Sequence, residues 1–344
     1  MEYKWVVLTV TTIGIFMASL DGSIIVVGFP TVLQDLNATL IHGVWIIIIY
    51  RLMITVLLVS LGRVADMFGR VRLYNLGFVI FTLGSALCAL SQNGDQLIAF
   101  RLIQGLGAAL LFVNSAAIVT DAFPHGELGM GMGVNMIAIN AGNMVGYTVS
   151  GVMIGLFGWR SLFLINIPIG IFGTFWSYRS LKEIHKEQRH EKFDYLGSTI
   201  YSIALLMILI AITMGSPSSS TNLLLLTTGV VLFPIFVVIE TRQRYPALDL
   251  KLFKIKLFTA GNVSSLLNAI SFISLPFILT LYFQLVKLYD PFTSGLLLIP
   301  MEVAVILIGP ISGKLSDKYG ARGLSSIGLA LNSGFPYSIK NSVV

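Results

Sequence analysis

GRVADMFGRVR, Gly62 to Arg72, lies between two long apolar runs, and a relative of it, GKLSDKYGARG, Gly313 to Gly323, follows the tenth such run. Gly62, Asp66 and Gly69 align with Gly313, Asp317 and Gly320, and an aromatic residue precedes the second glycine in both. Glycine permits a tight reversal at φ > 0 and close helix contact. The carboxylate between the glycines can receive cationic partners or face a helix N-terminus. One short segment at corresponding places in two hydrophobic blocks is how transporters built from repeated halves show themselves.

Outward from the repeat, the chain is apolar almost throughout. Of its 344 residues 56% are hydrophobic and 11% charged, whereas a soluble domain carries about 25% charged residues. The apolar residues fall in runs of about twenty, the length that a helix needs to cross a ~30 Å hydrocarbon core. Helices are expected near Trp5–Gly28, Gly43–Leu61, Leu73–Leu90, Leu97–Asp121, Gly129–Phe157 and Leu162–Tyr178. Four more follow near Tyr195–Gly215, Asn222–Glu240, Leu257–Leu285 and Pro291–Ser312. Leu324 to Phe335, interrupted at Gly334 and followed by Pro336, reads as a stub too short to span. The fold class is thus all-α and integral to the membrane. The first run is too long for a signal-peptide core, with no cleavage site after it, and reads as a retained helix. Cys88 is the single cysteine, so no internal disulfide forms.

Lysine and arginine in the short loops give the orientation. With a cytoplasmic N-terminus, the inside segments hold seventeen of them and the outside loops only Arg160 and Lys287. The most charged segment, RSLKEIHKEQRHEKFD from Arg179 to Asp194, interleaves acids and bases and reads as a solvated connector without chemistry. The basic residues alternate between loops instead of forming one patch, which argues against a nucleic-acid partner despite the net charge of +6.

These residues carry a resemblance. GRVADMFGRVR resembles the signature between helices two and three of the major facilitator superfamily. LDGSIIVVGFP, Leu20 to Pro30, and RLIQGLGAA, Arg101 to Ala109, resemble the first- and fourth-helix motifs of its drug:proton antiporter branch with fourteen helices. WRSLFLINIPIG, Trp159 to Gly170, and FDYLG, Phe193 to Gly197, resemble the junctions before helices six and seven. The resemblance implies a six-helix N-terminal bundle over 1–180, a cytoplasmic connector over 181–192, a linker pair over 193–256 and a second bundle from 257 to 344. That second bundle should hold six helices. Two and a stub are present, followed by PYSIKNSVV, so the expectation is a chain truncated or frameshifted near Gly334.

Charged groups inside the hydrocarbon are informative, since each costs ~2.5–3.5 kcal/mol at mid-membrane on insertion scales. Asp21 reads as a protonatable site or counter-charge, in line with the family motif, or as a structurally paired residue near the outer interface. In the family the fourth-helix arginine, here Arg101, is associated with proton coupling; the alternative is a buried arginine satisfied by helix carbonyls. Arg51, in the second helix, needs a partner at so central a depth, and Asp21 on the adjacent helix is expected to be that partner. Glu302 is a second protonation candidate or an interfacial glutamate. Gln284 reads as lining a cavity or as one helix–helix hydrogen bond. In the fifth helix, Gly142, Gly146 and Gly151 permit close packing, while Tyr147 stands where the family tends to carry proline. Asp66, Gly69, Arg70 and Arg72 are gate elements by resemblance. His42, His125, His185 and His190 fall in loops with no metal-ligand spacing.

No GxxxxGK[ST] segment is present, so uphill transport would draw on an ion gradient, with no cofactor. No nucleophile constellation assembles either, and the chain does not read as an enzyme. The leading expectation is a proton-coupled multidrug-type antiporter in the plasma membrane, handling small drug-like molecules. A facilitator or symporter of the same superfamily and a non-transporting membrane fragment are the alternatives.

Overall fold

Helices follow the apolar runs because a backbone in hydrocarbon must satisfy its polar groups internally. A computed structural model describes residues 2–124, 127–184, 194–213, 220–243, 248, 250–319, 323 and 326–328, with the backbone alone at 59, 195, 271–273, 302, 309–314 and 316–319. Its helices are α1 Tyr3–Asp35, α2 Leu40–Phe68, α3 Arg70–Ala89, α4 Gly94–Ala122, α5 Leu128–Phe157, α6 Ser161–Leu164 and α7 Asn166–Ser180. They continue as α8 Tyr195–Thr213, α9 Ser220–Arg242, α10 Lys256–Leu281 and α11 Pro291–Tyr319. Among the described residues ten helices are long and apolar enough to cross a membrane, α6 and α7 together forming the sixth. The expected stub lies outside the described residues apart from a helical fragment at 326–328.

The helix ends show local causes. Asn93 caps α4 by accepting from the Gln96 amide at 2.9 Å, the ordinary device for an orphan amide. His42, expected in a loop, stands in the first turn of α2, where the Thr39 and His42 side chains cap each other's amides. Asp290 caps α11 through the Thr293 hydroxyl and amide, and these hold its carboxyl below the usual carboxylate range.

Several helices run differently from the sequence expectation, α1 and α10 among them. The first continues beyond Gly28 to Asp35, straight through Pro30. Proline lacks the amide that would bond the Val26 carbonyl, and the next carbonyl, that of Val27, accepts from Gln284 Nε2 at 3.0 Å. Gln284 therefore makes a helix–helix bond. It sits in a π-helical turn, Tyr282–Val286, that extends α10.

The core centres on α1. It packs along α5 and α4, and α3 lies behind α4. Tyr74, Phe78, Phe81 and Leu111 fill one buried cluster, and Leu20, Ile24, Trp159 and Phe163 another. A third gathers Val26, Val27, Tyr147 and Leu298 with Phe277 and Phe283, joining α10 and α11 to α1 and α5. The α8–α9 pair leans on α2 through Leu205, Leu206 and Leu209 against Ile49, Leu52 and Val56. Outward faces such as Leu223, Leu224, Val230 and Val231 on α9 are apolar and exposed, as a lipid-facing surface requires.

Candidate functional site

Asp21 and Arg101 are both fully buried, and they pair directly. The guanidinium Nη1 also donates to Gln104 Oε1 at 2.7 Å and Nε to the Ile46 carbonyl at 3.2 Å. Asp21 Oδ1 accepts from Gln104 Nε2 at 2.8 Å and Asn166 Nδ2 at 2.7 Å. Gln104 Nε2 donates as well to Ser85 Oγ at 2.7 Å. The guanidinium carbon Cζ stands 4.2 Å from the Tyr50 ring centroid and 5.7 Å from that of Phe163. Side chains from α1, α2, α3, α4, α6 and α7 thus gather around one buried ion pair, and those of α4 and α7 bond its carboxylate. A buried ion pair is tolerable only when its remaining lone pairs and protons find partners, and here Gln104 and Asn166 supply most of them.

The expected Arg51–Asp21 pair is not formed. Arg51 is half-buried and its Nη2 donates to the Gly22 carbonyl at 3.5 Å, a long bond. Asp21 points to α4, and its neighbour Gly22 faces α2, with Tyr50 and Arg51 nearest. The side chains of Glu302 and Asp317, and Gly320 as a whole, lie outside the described residues. So do His125, His185 and His190.

The Gly62–Arg72 segment is more helical than a loop. Gly62 lies within α2 with room for a Cβ, and its counterpart Gly313 lies within α11. The single break is Gly69, at φ +102°, a conformation natural to glycine. Arg70 Nε and Nη2 donate to Asp66 Oδ1 at 2.9 and 2.8 Å, and Nη1 donates to Asp121 Oδ1 at 2.6 Å. Arg72 is exposed on the first turn of α3. The start of α3 is capped from afar: Glu183 accepts the Arg70 and Val71 amides at 3.1 and 3.0 Å. Glu183 belongs to the connector that reads as a solvated face, so part of that connector has a structural role. Glu183→Ala is expected to lower thermal stability by about 1 kcal/mol, the worth of a helix cap, whereas Glu183→Gln keeps one acceptor and loses less.

Gly142 and Gly146 seat α5 on α1. A Cβ at Gly142 would lie 2.6 Å from the Phe16 carbonyl, and one at Gly146 2.7 Å from the Leu20 carbonyl. Gly151 faces α11, where a Cβ would lie 2.6 Å from the Phe292 amide nitrogen. Tyr147 is buried within an unbroken α5.

Sequence reasoning missed Gln104, Asn166, Asp121 and Glu183. Gln104 and Asn166 stand inside recognised motifs, three residues after Arg101 and in the LINIP segment, and a buried carboxylate was the signal that uncharged donors must be near.

Residues 11–339 match the sequence model of the Major Facilitator Superfamily. The chain is 34% identical over 324 residues to the riboflavin transporter RibZ of Clostridioides difficile, covering 94% of this chain and 70% of that protein. It is 29% identical over 332 residues to the tetracenomycin C resistance and export protein of Streptomyces glaucescens, covering 96% of this chain and 62% of that one. In fold it is similar to the xylose transporter XylE from E. coli in a partially occluded inward-open conformation. That likeness has a TM-score of 0.60 at 16% identity over 94% of this chain and 73% of the other. With a family model spanning nearly all of the sequence and a fold that agrees with it, the chain belongs to the Major Facilitator Superfamily and is a multi-pass membrane transporter, not an enzyme.

Proposed function

We propose that the chain serves proton-coupled efflux of small amphipathic molecules by alternating access. In this reading 1–180 forms one half, 193–256 a linker pair, and the helices from 257 onward belong to a second half. The observation that carries it is the fully buried Asp21–Arg101 pair, ringed by Gln104 and Asn166. Both oxygens of this carboxylate are engaged, so any new partner must displace one that it has. Arg101 Nη2 and Asn166 Oδ1 have no partner among the described residues, which leaves capacity for an exchange. The resistance and export function in the name of the Streptomyces glaucescens relative supports the direction of transport. Asp66, Arg70 and Asp121 would hold α2, α3 and α4 together at the gating end. The seventeen-to-two division of basic residues supports a cytoplasmic N-terminus in the cell membrane.

Export of anionic, neutral and cationic fluorescent amphipaths from cells expressing the chain, with and without a proton uncoupler, tests this reading. Asp21→Asn is expected to abolish the uncoupler-sensitive component while the protein remains inserted and abundant. Undiminished export from that variant would refute the coupling role. Facilitated transfer or symport is the second reading, favoured by Tyr147 in place of a helix-kinking proline. The direction of proton movement relative to substrate separates the two.

A further inference from the structure

The buried cluster has settled its own charge. Asp21 Oδ2 is taken by Arg101 and Oδ1 by Gln104 and Asn166, and neither member of the ion pair is exposed. As it stands, this carboxylate has no oxygen open to a cationic molecule. Arg51 is in the opposite position. It makes no ion pair among the described residues, and its one bond to another helix is the 3.5 Å contact with the Gly22 carbonyl.

Its place on α2 is equally specific. Tyr50 and Ile54 turn into the core against α1 and α4, while Ile49, Leu52 and Val56 turn against α8. Arg51, Thr55 and Leu58 recur at helical spacing on the arc between those contacts, and Thr55 and Leu58 are exposed. Arg51 lies eleven residues beyond Leu40, about 16 Å along the axis at 1.5 Å per residue. That depth is near the bilayer midplane and out of reach of lipid headgroups. A guanidinium at such a depth faces a protein interior or a water-filled crevice, because hydrocarbon contact is too costly.

We propose that Arg51 receives the anionic group of the transported molecule, which makes the substrate class organic anions carrying a carboxylate, sulfonate or phosphate. The planar fork of arginine binds such oxyanions in a bidentate manner. Thr55, one turn further on the same arc, adds a hydroxyl; it now donates to the Arg51 carbonyl at 2.9 Å. The inference rests on the reading of the chain as a transporter of small amphipaths, and it narrows that reading to one charge.

Fluorescein and rhodamine 123 share a xanthene body and differ in charge, so the pair isolates this property. Both are titrated by fluorescence anisotropy into the purified 344-residue chain, and both are followed in proteoliposomes with and without an uncoupler. Fluorescein is expected to bind at least about tenfold more tightly than rhodamine 123. Arg51→Leu should weaken fluorescein by about tenfold, the worth of one charged hydrogen bond, and leave rhodamine 123 no weaker. Arg51→Lys, which keeps the charge, should retain most of the affinity, and an unchanged melting temperature in both variants separates recognition from folding. Equal or tighter binding of rhodamine 123, binding of neither dye, or fluorescein binding indifferent to Arg51→Leu overturns the assignment. Arg51-dependent fluorescein binding without uncoupler-sensitive transport would instead sink the efflux reading and spare the charge assignment. Uncoupler-sensitive transport of rhodamine 123 regardless of Arg51 would do the reverse.

Discussion

Replacing Arg101 with leucine is expected to destabilise the fold by about 3–5 kcal/mol, the cost of leaving a buried partner charge uncompensated. The loss exceeds that of an ordinary membrane-face substitution because three things go together. Asp21 loses its counter-charge, Gln104 Oε1 loses its 2.7 Å donor, and the Tyr50 ring loses the cation above it. Arg101→Lys should recover only part of the stability, since an ammonium lacks the fork that reaches Asp21, Gln104 and the Ile46 carbonyl together. Arg101→Gln combined with Asp21→Asn removes both charges, and it should restore more stability than either single change while leaving uncoupler-sensitive transport absent. Thermal unfolding in detergent across this double-mutant cycle provides the check. Strict additivity of the two single changes would show that the pair contributes nothing as a pair.

Valine at Gly146 or Gly151 should be the next most damaging change, at about 1–3 kcal/mol or somewhat more where backbone must move. At Gly146 the obstacles are the Ser23 hydroxyl and the Leu20 carbonyl of α1; at Gly151 the obstacle is the backbone of α11 at Phe292. Backbone on the facing helix cannot rotate aside as a side chain does. The two sites should differ in what is lost. Gly146→Val forces apart α5 and α1 beside the Asp21 cluster, and is expected to lower the melting temperature of the whole chain. Gly151→Val pushes on α11 and should impair transport more than stability. A melting curve and a transport rate for each variant test the contrast, and equal loss of stability at both sites would contradict it.

The ten spans were legible because composition and run length decide them, and neither depends on tertiary contacts. Their ends were less so: α1 passes through Pro30 to Asp35, and α2 continues beyond Leu61 to Phe68, where Gly69 ends it. Asp21 and Arg101 stood out as costly charges, yet their pairing did not. One residue along a helix turns the side chain by roughly 100°, so adjacency of the first two helices did not establish that Asp21 faces Arg51. The structure turns Gly22 that way and sends Asp21 to the fourth helix. Gln104 and Asn166 carry no charge and gave no energetic signal of their own. Glu183 was hidden for the contrary reason, one carboxylate among many in a charged connector, distinguished only by the amides of Arg70 and Val71 that it meets in space.

The distance in sequence between Asp21 and Arg101 also sets an order of assembly. The two are 80 residues apart, so at roughly 5–20 residues per second the arginine leaves the ribosome about 4–16 s after the aspartate. Asn166 comes later still, 145 residues behind Asp21. The first helix therefore enters the bilayer with a carboxyl that has no protein partner yet. Until the fourth helix is made, the first helix lacks the counter-charge that makes its carboxyl tolerable in hydrocarbon. Closure of the first bundle is thus a late event in biogenesis, timed by synthesis of the helix that carries the counter-charge.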